Sequence, residues 1–385
     1  MTAPLPPVLV VNAGSSSLKV KLLPQGHAFL VERIGGDVAG SSSLGALPVT
    51  GVRDHADALR ACLELLGAYV PLAEVRAVGH RVVHGGERYT APVVVDEGVL
   101  ADLEGLSHLA PLHNPPNLEG IRAARALLDV PQVAVFDTAF HASLPPHAYL
   151  YGLPRSLYEA RGVRRYGFHG PSHDFVTRRA AEVLGRARAS LKLVSLHLGN
   201  GASAAAVSGG RSVDTTMGMT PLAGLVMGTR AGDVDPGVLL YLLEGGMSVA
   251  ELSELLNKRS GLLGLSGVSN DMRDVARAAA EGDAAAAEAV AVFCYRVRLA
   301  VGALTAAMGG LDAVIFTGGI GQHDAAVRAR SLAGLEVLGI ELDAARNDAH
   351  ETRISADGSR VAVLVIATDE ERMIAEAAVA VLGLA

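Results

Sequence analysis

The sequence predicts an α/β protein made of two related domains, and three observations carry that prediction. Apolar runs of strand length alternate with segments whose apolar residues fall at helical spacing, in both halves of the chain. Residues 8–13 form an apolar run that meets the turn Gly14-Ser15-Ser16-Ser17. Alternation then resumes with Leu18, Val20 and Leu22 against Lys19 and Lys21, a strand–turn–strand unit. That unit recurs: residues 193–198 lead into Gly199-Asn200-Gly201 and a second apolar strand at 204–207, with Gly199 in the place of Gly14 half a chain away. A chain of 385 residues also suits two domains at about 150 residues each.

The remaining elements follow in order. Residues 35–51, rich in Gly and Ser, read as short strands and turns. Residues 54–70 carry Leu59, Cys62, Leu63, Leu65 and Leu66 at helical spacing, and 75–83 read as a strand. A helix is expected at 118–128, entered through a stiff turn at Pro115-Pro116-Asn117. A short buried strand at 133–136 ends at Asp137, and Pro145, Pro146 and Pro154 mark a crossover across 140–165. The second half reads as a helix at 172–184, the second hairpin, and a Gly/Met/Thr-rich loop at 217–232. Helices follow at 238–244, 249–258 and 283–308, then a strand at 314–317 running into glycines, a strand at 361–367 and a helix at 370–384.

Composition narrows the function classes. Half the residues are hydrophobic and 19% are charged, which supports packed cores, and with aromatics at 4% those cores are built from Ala, Val and Leu. A net charge of −7 argues against nucleic acid as the main partner. An anionic substrate therefore needs local Arg and Lys. Two cysteines, Cys62 and Cys294, make neither a disulfide framework nor a Cys-based zinc site, and a reduced cytoplasm is the expected home. The first seven residues lack the basic and apolar regions of a secretory signal, and no uninterrupted apolar stretch reaches the roughly 18 residues of a membrane span.

Several short segments carry candidate chemistry. The Gly14–Ser17 turn offers backbone N–H groups, hydroxyls and Lys19 in a small volume, which suits phosphate oxygens; it also reads as an ordinary Gly/Ser hairpin. Neither G-x-x-x-x-G-K-[ST] nor G-x-G-x-x-G is present, so P-loop and Rossmann readings lose their support. In Gly79-His80-Arg81-Val82-Val83-His84-Gly85-Gly86, strand alternation places Arg81 and Val83 on one face. Arg81 could grip a carboxylate bidentately while Val83 touches its alkyl tail, or pair with an Asp at a sheet edge. His80 and His84 have no partner at a metal-ligand spacing. Prolines hold His113 in Ala110-Pro111-Leu112-His113-Asn114-Pro115, Asp137 sits just beyond a strand, and glycines flank His169. Gly228-Thr229-Arg230, with Asp233 and Asp235, supplies a second arginine in a loop; an ordinary turn or structural ion pair is the alternative for each.

Two phosphate-type hairpins, one per half, resemble the plan of the actin-like superfamily of ATPases and sugar kinases. Taken together, VVNAGSSSLK, GHRVVHGGE, LAPLHNPPN, VFDTAFH, YGFHG, HLGNGAS, MTPLAGLVMGTR, SGVSNDMRD and FTGGIG resemble the acetate kinase family in order and spacing over nearly the whole chain. The resemblance implies a duplicated actin-like (ribonuclease H-like) two-domain kinase with an interdomain nucleotide cleft. Residues 1–139 with 371–385 would form the N-terminal domain and 140–370 the nucleotide-binding one. It implies Mg²⁺-dependent, reversible phosphoryl transfer from ATP to acetate, with Mn²⁺ as the alternative metal, and a cytoplasmic homodimer without nucleic-acid or membrane partners.

Residue by residue, Asn12 and Glu370 resemble the family's metal site, and Ser15, Ser17 and Lys19 would face the phosphates. Arg81 and Arg230 resemble the pair that grips acetate and the moving phosphoryl group, with Val83, Leu112, Phe168 and Pro221 around the acyl methyl. His113 and His169 resemble the phosphoryl-contacting histidines, and Asp137 the active-site acid. His197, Leu198, Gly199, Asn200 and Gly201 match nucleotide-binding positions, as do Asp271, Met272, Arg273, Gly319, Ile320, Gly321, Gln322 and His323. The chain departs from the family pattern at Gln322-His323, where Glu-Asn is usual, at Pro171 and at Asp369, which adds a carboxylate near the metal. A kinase for propionate or a longer acid, and a non-catalytic nucleotide switch on the same fold, are the rival readings.

Overall fold

A computed structural model describes residues 5–384. Residues 1–4, part of the segment read as lacking a secretory signal, lie outside the described residues. Packing divides the chain into Met1–Ala142 with Asp369–Ala385, and Ser143–Thr368. Divisions at 139/140 and 370/371 had been expected; by its contacts Glu370 belongs with the first unit, because it opens that unit's last helix.

The first unit is built on β1 (Val8–Ala13), β2 (Ser17–Leu23), β3 (His27–Glu32), β4 (Ala39–Ser42), β5 (Ala77–Val82), β6 (Val93–Val94) and β7 (Gln132–Phe136). Their order is β4-β3-β2-β1-β5-β7-β6, with β1 antiparallel to β2 and parallel to β5. Alternation along the strands explains the two-sided burial. Leu9, Val11, Leu18, Val20 and Leu22 pack with Leu59, Cys62 and Leu66 of helix His55–Gly67. On the other face, Val8, Val10, Val133 and Val135 pack with Ile374, Ala375 and Ala378 of helix Glu370–Leu382. Gly79 is required there, since a Cβ would lie 2.7 Å from Ile374 Cγ2.

The second unit carries β8 (Lys192–Leu198), β9 (Ala202–Ser208), β10 (Arg211–Thr215), β11 (Ala313–Thr317) and β12 (Ala362–Val365), in the order β10-β9-β8-β11-β12. β8 is antiparallel to β9 and parallel to β11. The order β3-β2-β1-β5-β7 in the first unit has the same pattern of antiparallel and parallel neighbours. The repeated hairpin is therefore the visible part of a repeated sheet, one copy in each unit.

Three local expectations change. The Pro115-Pro116-Asn117 turn is instead the first turn of helix Asn114–Leu127, where prolines lack no needed N–H; His113 is its N-cap. The glycines into which β11 runs form helix Gly318–His323, and the sequence reading has no counterpart for helices Glu97–Gly105, Met272–Ala280 and Ala325–Leu332. Helix Ala284–Met308 is long and apolar enough to cross a membrane by length and composition. It contains Glu288, Arg296 and Arg298, and Val290, Phe293, Val297, Val301 and Leu304 are buried within the unit, the pattern of a core helix.

Candidate active site

In the first unit, parallel strands β5 and β7 bring Arg81 and the residue after β7, Asp137, side by side. The guanidinium donates from Nε to Asp137 Oδ1 at 2.9 Å and from Nη2 to Oδ2 at 2.7 Å. Asp137 is almost fully buried while Arg81 keeps about a fifth of its side chain exposed, so the buried carboxylate aims an accessible cation. Glu370, at the start of the last helix, lies 4.0 Å from Arg81 Nε. Burial works against the Arg81 charge, but Asp137 and Glu370 outweigh it and hold the guanidinium protonated. Burial pushes the Glu370 carboxyl above its ordinary value, against the pull of Arg81.

Asn12 and Lys19 are register partners across the first hairpin, and with Lys21 and Glu371 they line one groove. Ser15 is exposed at the turn, and Gly14 N–H donates to Ser17 O at 2.8 Å, closing it. β5 ends at Val82, so Val83 follows the strand rather than belonging to it. Its N–H donates to Asn117 Oδ1, and His84 N–H to Asn114 Oδ1. Asn117 Nδ2 in turn donates to Ala13 O at 2.6 Å. These two buried asparagines fix the segment beyond Arg81, and sequence reasoning missed them; two Asn beside prolines at a helix start are their only signal. Leu112 is about half exposed and His113 half-buried. His80 is buried against Gln132, and burial holds its imidazole down at about 4, so it stays neutral.

The second unit gathers the other candidates. His169 precedes helix Gly170–Leu184 with φ 57°, a left-handed conformation uncommon outside Gly. Its ring stacks on His197 of β8 at 4.3 Å between centroids. Ser172 and His197 Nδ1 are 2.7 Å apart, and Ser203 lies 2.9 Å from His169 Nδ1. A Cβ on Gly201 would sit 2.6 Å from Arg230 Nη2 and 3.4 Å from His169 Nε2, so this glycine lets both groups approach the second hairpin. Arg230 Nη1 donates to Pro221 O at 2.5 Å. Phe168 is buried. Asp233 accepts from Gly224 N–H and Asp235 caps helix Pro236–Glu244, so these loop carboxylates have local work.

Among the nucleotide-segment residues, Leu198 is buried at the end of β8 while Gly199, Asn200 and Gly201 form the turn. Asp271 caps helix Met272–Ala280 and pairs with exposed Arg273 at 2.5 Å, while the Met272 side chain is buried in the core. Gly319 and His323 are exposed on helix Gly318–His323, Ile320 and Gln322 are half-buried and Gly321 is buried. The carbonyls of Gly321 and Gln322 accept from the fully buried Arg328 guanidinium.

Residues 7–376 match the acetokinase family. The chain belongs to the acetokinase family. Within it, the chain is 52% identical to an acetate kinase of Clavibacter michiganensis subsp. michiganensis, over 98% of this chain and 99% of that one. It is 41% identical to a crystal structure of Porphyromonas gingivalis acetate kinase, with a TM-score of 0.90 over 98% and 100% of the two chains. A propionate kinase structure from Francisella tularensis is 39% identical, with a TM-score of 0.91 over 97% and 99%. Acetokinase relatives named for two different acids thus share this fold.

The donor set suits a hard cation. Asn12 offers an amide and Glu370 a carboxylate, oxygen ligands of the kind Mg²⁺ takes in ones and twos alongside water and phosphate. Among the described residues no group of three or more His, Cys, Asp or Glu is placed to hold a metal unaided.

Proposed function

We propose that this protein transfers the γ-phosphoryl group of ATP directly to acetate, reversibly, giving acetyl phosphate and ADP. The acetokinase match over nearly the full chain supports this, and the observation that carries it is the Arg81–Asp137 fork. A carboxylic acid with a pKa of about 4 is ionised at neutral pH, so the nucleophile needs no general base. Asp137, held by two hydrogen bonds to Arg81, accordingly serves to orient that arginine rather than to remove a proton. The task is to bring two anions together and stabilise a charge-spread phosphoryl group in flight.

Arg81 presents its exposed edge to the acetate carboxylate, with Val83 and Leu112 beside the methyl. Arg230 and His169, converging at Gly201, take the charge that develops on the phosphoryl oxygens. Ser15, Ser17 and Lys19 receive phosphate oxygens. The segments at 197–201, 271–273 and 319–323 hold the nucleoside. Asn12 and Glu370 would hold Mg²⁺, with Mn²⁺ as the alternative; the ion when bound neutralises phosphate charge. Water exclusion protects the phosphoryl group from hydrolysis.

The exposed Leu240 and Tyr241 on the apolar helix Pro236–Glu244 support a homodimer, which sedimentation would test. Two buried free cysteines fit a cytoplasmic setting. A hydroxamate assay for acyl phosphate with acetate, propionate and butyrate tests the substrate assignment. Acetate giving the highest kcat/KM supports it; a propionate preference would move the protein to the rival acid, and no acyl phosphate with any acid would refute it.

A further inference from the structure

Polar side chains inside an apolar sheet need partners, and in the second unit they find each other. Ser195 on β8, Ser203 on β9 and His173 on helix Gly170–Leu184 are all fully buried. Ser195 Oγ lies 2.8 Å from His173 Nδ1, and His173 Nε2 lies 2.8 Å from Ser203 Oγ. Ser203 Oγ is also 2.9 Å from His169 Nδ1. The four groups make one hydrogen-bonded file that reaches His169.

A hydrogen count shows what the file can do. Each neutral imidazole carries one N–H and each serine one O–H. With Ser195 donating to His173 Nδ1, His173 Nε2–H donates to Ser203, and Ser203 donates to His169 Nδ1. The hydrogen of His169 is then on Nε2, the nitrogen beside Gly201 and Arg230. With the file reversed, His169 holds its hydrogen on Nδ1 and turns a lone pair toward that same place, where an anion would be repelled.

We propose that Ser203 and His173 are positioning residues that fix His169 as the Nε2–H tautomer when an anionic phosphoryl group is present. This rests on the reading that His169 contacts that group. The stack on His197 fixes the ring plane, and the file fixes which edge carries the hydrogen. Neither serine nor His173 touches the substrate.

The test uses the full chain labelled with ¹⁵N-histidine, with Mg²⁺, ADP and inorganic phosphate as the probe. Two-bond ¹⁵N–¹H correlations distinguish the tautomers, and His169→Gln assigns the signal. Wild type should show His169 with its hydrogen on Nε2. Ser203→Ala, beside small residues Ala202 and Ala204, should give a mixture of tautomers. Its kcat should fall about tenfold, while KM for acetate and ATP moves less than about twofold. His173→Gln, whose amide can still donate to Ser203, should keep more of the kcat than Ser203→Ala does. An unchanged His169 tautomer in Ser203→Ala, or an Nδ1–H form in wild type, would overturn the proposal. A tautomer change with unaltered turnover would uphold the file and remove His169 from the reaction, a failure of the functional reading instead.

Discussion

Arg81→Ala separates the two tasks that the Arg81–Asp137 fork performs. The sequence alone suggests a strand-borne arginine whose loss the fold would ignore. The structure shows instead that Asp137, only 2% exposed, has this guanidinium as its bidentate partner. Truncating one member of a buried pair strands the other charge, at about 3–5 kcal/mol, and with Arg81 21% exposed the lower end, about 3 kcal/mol, applies. The urea midpoint should fall by about 1 M at an unchanged slope. Arg81→Ala/Asp137→Asn removes the stranded charge and should recover most of that midpoint. Turnover should not recover: both variants should lose at least about tenfold to a hundredfold in kcat/KM for acetate, or 1.4–2.7 kcal/mol of transition-state stabilisation. Equal midpoints for the single and double variants would refute the pairing argument. Near wild-type activity at low acetate in either variant would refute the role of Arg81.

Val83→Ala should raise propionate and butyrate relative to acetate by about tenfold at most, at roughly 1–3 kcal/mol per methylene. Val82→Ala, whose side chain packs with Val99, Leu100 and Phe136, should leave acid preference alone, and a shift in both variants would place the pocket elsewhere. Gly201→Ala should lower kcat by about tenfold or more by displacing the Arg230 tip, with the melting temperature within about 2 °C of wild type; unchanged turnover would remove the close approach from the account. His80, held at about 4 in the folded chain against 6.5 when exposed, binds its proton more readily when unfolded. Stability should therefore be full above pH 6.5 and fall toward pH 4, by about 3 kcal/mol from this residue. Urea titrations of wild type and His80→Gln should diverge in that window; parallel curves would contradict the burial argument.

The legible parts of this fold were those written in local pattern. Both hairpins, the buried strands before Asp137 and Gly318, and the terminal helix carry strong period-two or helical spacing. What was not legible depends on distant partners. Helix Met272–Ala280 buries only Met272 and Val275, too few for its spacing to show. Asn114 and Asn117 matter through the backbone of Val83 and His84, some thirty residues earlier. Ser203 and His173 look like ordinary polar residues until the sheet and helix bring them together. Arg81 and Asp137 were each visible as candidates, but their pairing needs the parallel register of β5 and β7.

The central claim is that the phosphoryl group moves in one step between two bound anions, with no phosphorylated side chain between. The stereochemical course at phosphorus tests it most directly. ATP made chiral in its γ-phosphoryl group with oxygen isotopes should yield acetyl phosphate with inverted configuration, as one in-line displacement requires. Retention would mean two displacements and a phosphoenzyme, and would contradict the account.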